Sequence, residues 1–347
     1  MNLLSQQRRE AMKRYRIIIG VLVLGLVFGT SLGLAADKTY TLRFTTVAAP
    51  TQPIVKGMEK FAEVADKLSG GKIQVKVFHS GQLANQKTSL LGIMKGTIDM
   101  SIDASASWFA DMADYPEIGV LEVAYLYRDL DHMYRVLLGP IGQEYWDTLA
   151  KKSNLRVLDV WYLGTRELNF IEEVGVVKSP SDLKGVKLRM PNAEAWLDVG
   201  RALGAKPTPL GFGEVYMALK TGTIDGQDNP LPTDYAQKFY EVTKYIVLTD
   251  HMIGYVTPTI NEKLWQGMPD EYKVYIKKAL EVARNYSNYL ILDQEADLLG
   301  RFQTEYGMKV VVPDKQAFMD HAQQYYSQGK FDERWGAGMY SKIQNVK

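Results

Sequence analysis

No cysteine occurs among the 347 residues. Disulfide frameworks, thiolate metal sites and cysteine nucleophiles are excluded, and so is a lipid anchor on an N-terminal cysteine. Histidine is scarce: His79, His132, His251 and His321 are the only four, and none is spaced with another as metal ligands are. The body of the chain has no Gly-x-Ser-x-Gly elbow, no P-loop and no Gly-x-Gly-x-x-Gly; Gly211-Phe212-Gly213 lacks the third glycine and follows no clear strand. Carboxylates are too numerous to single out a glycosidase-like pair. These absences leave no catalytic residue, metal site or cofactor to nominate, and the chain is expected not to be an enzyme. An excess of charge of one sign is missing too, with 41 Lys and Arg against 40 Asp and Glu. The 21 tyrosines are not interleaved with basic clusters, so no nucleic-acid partner is expected.

Long apolar runs are confined to the N-terminus. Arg8, Arg9, Lys13, Arg14 and Arg16 precede an apolar run over 17–28, broken only by Gly20 and Gly25, and Gly33-Leu34-Ala35 fits a small-x-small cleavage site. This pattern predicts a secretory signal peptide over residues 1–35. The alternative is an anchor helix stretched to Leu34, but spanning a bilayer takes about 20 strongly apolar residues. Glu10 and Ala11 after Arg8-Arg9 do not fit a twin-arginine signal. Cleavage would remove five basic residues and Glu10, leaving 36 basic against 39 acidic residues, a net charge of −3. The expected product is a soluble periplasmic protein, held together by its core alone, in which any anion site is a local arrangement of positive groups.

What is present is ordinary globular composition, 46% hydrophobic and 23% charged, over a length that favours two domains. Leu42-Arg43-Phe44, 73–77 and 186–190 alternate apolar and polar residues as strands do, and helical patterns occupy 57–68 and 214–221. The alternation predicts α/β layers with largely parallel pairing. One internal echo stands out: Leu91-Gly92-Ile93-Met94-Lys95-Gly96-Thr97-Ile98-Asp99-Met100 resembles Met217-Ala218-Leu219-Lys220-Thr221-Gly222-Thr223-Ile224-Asp225-Gly226. It reads either as two similar lobes facing a cleft or as a common helix-to-strand connector. Residues 270–299 contain neither Gly nor Pro, and Val274, Ala279, Leu280, Ala283, Tyr286 and Leu290 suit one helix of roughly 45 Å or two with a bend. Residues 329–347 are weakly patterned and expected to be only partly ordered at their end.

Candidate binding residues cluster in the middle of the chain. In the strand 186–190, Val186, Leu188 and Met190 share one face while Lys187 and Arg189 take the other, and Pro191 ends the strand. Arg189 thus stands at a strand's C-terminal end, where ligands collect in open α/β sheets. Its planar fork of donors matches a carboxylate; the alternative is a surface arginine or an ordinary ion pair. Arg166, after Gly164-Thr165, stands where a strand leaves the sheet; it binds an anion or pairs with Glu167 or Glu172. Gln227, Asp228 and Asn229 before Pro230 offer either ligand contacts or turn chemistry. Phe212, between two glycines, faces a ligand or anchors a loop.

Together these motifs resemble the extracytoplasmic solute-binding proteins of TRAP transporters, the DctP-type family. The resemblance runs from Leu42-Arg43-Phe44 to Gly307-Met308-Lys309-Val310 and is most specific at Lys187-Leu188-Arg189-Met190-Pro191-Asn192, from Pro207-Thr208-Pro209 to Tyr216, and from Gly222 to Leu231. It implies an α/β, two-lobed periplasmic-binding-protein fold with a cleft, hinge strands and a long lobe-spanning helix: lobe I over 37–163 plus 255–294, lobe II over 164–254 plus 295–347. It implies that Arg189 forms a bidentate salt bridge to a ligand carboxylate, that Arg166 and Asn229 contact the same group, and that Phe212 packs on the ligand. The implied partners are a small-molecule carboxylate and the small and large membrane permease subunits of an ion-gradient-driven transporter, with the binding protein a monomer. Gly164-Thr165-Arg166 and Gly226-Gln227-Asp228-Asn229 look like the sialic-acid-binding branch, but Thr46-Val47-Ala48 and Asp103-Ala104-Ser105-Ala106 replace that branch's first-lobe Asn and Glu contacts. A smaller sugar acid such as a hexuronate or aldonate is therefore favoured over sialic acid or a C4-dicarboxylate. Gln82, Asn85, Asp103 and Trp108 are the first-lobe candidates, and Gln227 and Trp196 complete the set. A periplasmic enzyme acting on sugar acids, or a binding protein serving a sensor kinase, are the readings of other classes.

Overall fold

The computed structural model describes residues 38–347, so the expected signal peptide, residues 1–35, lies outside the described residues. Strand β1 (Tyr40–Thr45), helix α1 (Pro53–Leu68), β2 (Ile73–Phe78), α2 (Gln86–Lys95), β3 (Met100–Ala104) and α3 (Ala106–Met112) alternate. Helices α4 (Leu130–Leu137) and α5 (Pro140–Ser153) lead to β4 (Leu155–Val157) and then to β5 (Trp161–Phe170), which carries the chain into the second lobe. There β6 (Lys187–Met190), α6 (Glu194–Ala202), β7 (Lys206–Pro209), α7 (Val215–Lys220), β8 (Gly226–Pro230) and α8 (Leu231–Ala236) alternate in turn. The 17-residue β9 (Tyr245–Asn261) returns, followed by α9 (Glu262–Gln266), the 35-residue α10 (Asp270–Thr304), β10 (Lys309–Val311), α11 (Lys315–Tyr326), α12 (Gly329–Trp335) and α13 (Met339–Gln344).

The strands lie in the order β2-β1-β3-β9-β5-β8-β6-β7, with β4 and β10 also paired to β9. Pairing is mixed, not largely parallel. Within each lobe it is parallel, β1 with β3 and β6 with both β7 and β8, because helices connect those strands. It turns antiparallel at β3–β9, β9–β5 and β5–β8, where the chain crosses and returns. Strand β9 therefore belongs to both lobes: Thr257–Ile260 face β3, and Tyr245–Val247 face β10.

The sequence echo is a structural repeat. Gly96 and Gly222 both take positive φ (76° and 67°), closing a helix on a left-handed turn. Asp99 then accepts the backbone N–H of Arg43 on β1, and Asp225 that of Lys187 on β6, both at 2.8 Å. Each lobe uses the same residue to pin a neighbouring strand.

The apolar stripe of α1 (Ile54, Val55, Met58, Phe61, Ala65) recurs at helical spacing and is buried. Helix α10 is one continuous helix, about 52 Å long at 1.5 Å per residue. Its buried face is Tyr272, Ile276, Ala279, Leu280, Ala283, Ser287, Ile291, Leu298 and Phe302, while Val274 and Tyr286 of the same helix point to solvent. It packs on α1 in one lobe and on α8 and β10 in the other. Gly57 lets α1 approach: an added Cβ would come within 2.6 Å of Trp161 and 2.9 Å of Ser287. Residues 329–347, weakly patterned in sequence, form α12 and α13. Phe331, Trp335 and Ile343 are buried, His132 Nε2 donates to the Ile343 carbonyl at 3.1 Å, and Arg128 Nη2 donates to that of Val346 at 2.7 Å. Each helix is too short and buries too few residues to show a period in the sequence.

Gly164 sits where β5 leaves the first lobe, with φ of 123°, and a Cβ there would lie 2.5 Å from Pro230 and 3.0 Å from Glu295. Gly164→Ala is expected to lower stability by about 2 kcal/mol or more, through strain and overpacking together. Gly338→Ala, in the left-handed region at φ 71° and ψ 6° with open space around it, is the control and should cost about 1 kcal/mol. Equal thermal shifts for the two variants would contradict the assigned packing.

Candidate ligand-binding site

Strand β6 sends Leu188 and Met190 into the core and Arg189 to the opposite face, into a cavity between the lobes. Arg189 is 2% exposed. Its Nε and Nη2 donate to one acceptor, the Leu210 carbonyl, at 3.0 and 2.8 Å, and its guanidinium lies 5.8 Å from the centre of the Phe212 ring. Among the described residues no carboxylate reaches it within 4.0 Å, and its Nη1 has no hydrogen-bond partner. Burial pulls the guanidinium down to about 10, with Asp228 opposing. The group stays charged at neutral pH and lacks a counter-ion.

Arg166 lies within β5, not at its end, and pairs with neither Glu167 nor Glu172. Antiparallel pairing sets it beside β8, where its Nε meets Asp228 Oδ2 at 2.7 Å and its Nη2 meets the Asp228 carbonyl at 2.7 Å and Asn229 Oδ1 at 3.3 Å. Trp196 covers it, its ring centre 4.6 Å away. Burial would raise the Asp228 carboxyl, but Arg166 and His251 outweigh it and hold the group well below the usual range. His251 Nε2 donates to Asp228 Oδ2 at 3.2 Å while its Nδ1 accepts from Thr249 at 2.8 Å; burial keeps the imidazole low and neutral. Glu167 turns away to accept the Asp250 N–H at 2.9 Å. Arg166 is thus a neutralised, braced cation, unlike Arg189.

The first lobe supplies the opposite wall. Asp103 sits at an irregularity in the β3–β9 pairing, accepts from Thr46 Oγ1 at 2.6 Å and from the Val47 N–H, and is pushed up to about 7 by burial. Glu122 Oε2 accepts from Ser105 Oγ at 2.5 Å and the Ser107 N–H at 2.7 Å; burial pushes it, too, up to about 7, against the pull of Arg166. Gln52 Nε2 donates across the cleft to Thr233 Oγ1 at 3.0 Å, and a second bridge joins Asp111 Oδ2 to the Glu194 N–H at 3.1 Å. The lobes are therefore closed on each other.

Of the residues singled out in the sequence, Arg189, Arg166, Asn229, Phe212, Asp103, Trp108 and Trp196 line this cavity together. Three do not. Gln227 is fully buried behind Asn229, engaged with Asn169, Asp234 and Asn229 in strand β8. Asn85 caps α2, its side chain accepting the Thr88 N–H at 2.9 Å, and Gln82 is exposed on the preceding loop. Sequence reasoning missed Gln52, Gln86, Glu122 and Thr233, which also line the cavity. Only Glu122 left a signal, as a lone carboxylate inside the apolar run 118–124.

Comparison with known proteins agrees with this geometry. The profile of "Bacterial extracellular solute-binding protein, family 7" (DctP) matches residues 44–332. The sialic acid-binding periplasmic protein SiaP of Vibrio cholerae is 32% identical over 94% of this chain and 98% of its own. A TRAP periplasmic solute-binding protein of Roseobacter denitrificans, solved with bound 3-deoxy-D-manno-oct-2-ulosonic acid, superposes with a TM-score of 0.82 at 34% identity, covering 88% of this chain and 99% of that one. A second from the same organism, solved with L-galactonate, has a TM-score of 0.78 at 31% identity, covering 86% and 98%. The chain belongs to this DctP family, the periplasmic solute-binding proteins that serve TRAP transporters.

Proposed function

We propose that the protein captures a sugar acid, a hexonate or hexuronate being favoured, through a salt bridge between its carboxylate and Arg189, and hands it unchanged to the two membrane subunits of an ion-gradient-driven permease. The observation that carries this reading is the buried guanidinium of Arg189, with one edge tied to a carbonyl and Nη1 unengaged. An unpaired buried charge is costly, and a carboxylate arriving in the cleft removes the cost. Arg166 and Asn229 steady the same end of the ligand, and Phe212 and the tryptophans cover its apolar faces. The two Roseobacter neighbours hold sugar acids in the same fold, which supports the favoured class. Closure follows binding because the acid has more partners in the closed form than in the open one. Export requires the N-terminal segment 1–35 to serve as the signal peptide.

A thermal-shift screen of carboxylic acids identifies the ligand, since saturation at 100 times Kd adds about 2.7 kcal/mol. With the best binder, Arg189→Lys is expected to weaken binding at least 100-fold in calorimetry, because an ammonium cannot present two parallel donors. Near-normal affinity would refute the salt bridge.

The ligand-free protein should also lose stability as pH rises. Asp103 and Glu122, raised by burial to about 7, hold protons in the folded state that the unfolded chain has released above about 4.5. Glu167, raised by burial to about 10, adds to the same trend. These contributions are complete below the unfolded values and decline as pH climbs through the folded ones. Asp228, shifted the other way, contributes no slope at these pH values. Melting of the empty protein at pH 5.5 and 8 should show the lower midpoint at pH 8. Glu122→Gln should flatten the difference by removing about 2 kcal/mol of it. A midpoint that climbs with pH would show these carboxyls to be ionised in the fold.

A further inference from the structure

The charges around the cavity can be counted one by one. Its lining holds two cations, Arg166 and Arg189, and two acids, Asp103 and Glu122. Arg166 is matched by Asp228. Behind it, His251 is kept neutral by burial and Asp234 is kept protonated by burial. Of the two cavity cations, the one left without an ionic partner among the described residues is Arg189, and it stands on the second lobe. Among the described residues the first lobe brings no cation to the cavity. Its side-chain polar groups there are the Asp103 and Glu122 carboxyls, the Gln52 and Gln86 amides, the Trp108 indole N–H, and the Ser105 and Tyr255 hydroxyls, which already donate to Glu122 and to the Leu121 carbonyl. Glu122 Oε1 accepts no hydrogen bond from the described residues, and Asp103 Oδ2 accepts only from the Val47 N–H at 3.0 Å. Both oxygens have lone pairs to spare, and hydroxyl groups are the donors that fit them.

We propose that Asp103 and Glu122 form a charge filter that accepts the hydroxyls of a polyhydroxy monocarboxylate and rejects any acid with a second carboxylate at its far end. The proposal rests on the reading that Arg189 takes the ligand's first carboxylate, which fixes the far end against the first lobe. A second carboxylate there would meet two acids and no cation. It would stay unpaired in a closed site or force a proton onto one of them, and either costs affinity. A terminal CH2OH meets the same two groups as a donor and is held. The filter thus separates an aldonate from the corresponding aldarate, which differ only at that carbon.

The test is calorimetry at pH 8 on matched pairs, gluconate with glucarate and galactonate with galactarate, alongside a hexuronate, threonate and succinate. A mono-acid is expected to bind, and its diacid to bind at least 100-fold more weakly. Asp103→Asn and Glu122→Gln should each narrow that ratio tenfold or more, an effect that mere loss of fold would not produce. Glu122→Gln is the milder change, because an amide oxygen can still accept from Ser105 and Ser107. A diacid within tenfold of its mono-acid, or a series in which no mono-acid binds, overturns the filter. Arg189→Lys separates the two ideas: if the bound acid is indifferent to that change, the carboxylate grip fails, whatever the mono-acid to diacid ratio.

Discussion

Arg189 carries a full charge at a buried place where, among the described residues, no carboxylate pairs with it. Moving a bare ion into such surroundings is among the least favourable steps in folding. The chain softens it with one backbone carbonyl and the face of Phe212, and stops there. The Leu210 carbonyl does a second thing: by engaging Nε and Nη2 together it fixes the plane of the guanidinium. On the proposed reading, the remaining edge is aimed before any ligand arrives, so less ordering would be left for binding to supply. An arginine satisfied by a carboxylate of its own would be more comfortable and useless for capture.

Arg166 shows what such satisfaction looks like a short distance away. Its Nε and Nη2 are occupied by Asp228 and Asn229, and Asp228 is itself held by His251, whose other ring nitrogen is held by Thr249. This chain of bonds fixes Asn229 at the cavity wall and keeps a second cation near Arg189 without adding a second surplus charge. Two arginines that look equivalent in sequence therefore do different work: one is the free charge, the other a brace. The difference comes from β5 pairing antiparallel with β8, which sets Arg166 beside the Asp228-Asn229 pair.

What the sequence reveals follows the range of the interactions involved. Strand alternation at 186–190, the length of α10 and the Gly-Thr-Ile-Asp echo are local, and each reappears in the fold. The placement of Arg189 follows from period two and a terminating proline, both local as well. Partners across long separations were not legible. Gln52 meets Thr233, and Arg166 meets Asp228 in place of its neighbours Glu167 and Glu172, because the sheet order decides those encounters. Asn85 misled for a related reason: a side chain that caps its own helix is spent locally, and composition does not show that. The C-terminal helices escaped notice because short helices with one or two anchors carry no measurable period.

The duplicated Gly-Thr-Ile-Asp unit gives the two lobes the same scaffold, and the difference between them is then the informative part. At the cleft, one lobe ends its strands in an unpaired cation and its brace; the other ends in carboxyls anchored to serine, threonine and backbone N–H groups. In an open molecule each half faces water and its charges are solvated, so neither is strained. Closing removes that solvent from both at once. Without a ligand, Arg189 loses its hydration and gains no partner, while Asp103 and Glu122 are driven toward their neutral forms. With an acid between the lobes, one end answers the cation and the rest answers the opposite wall. The energetic case for closing is therefore divided between two walls that touch directly at Gln52–Thr233 and Asp111–Glu194. Binding the acid's head alone leaves the first lobe unsatisfied, and binding its tail alone leaves Arg189 so. On the proposed reading, a molecule that spans the cleft with the right group at each end favours the closed form more than one that answers a single wall, which is how a scaffold with one unpaired cation in its cavity would be selective among acids that all carry a carboxylate.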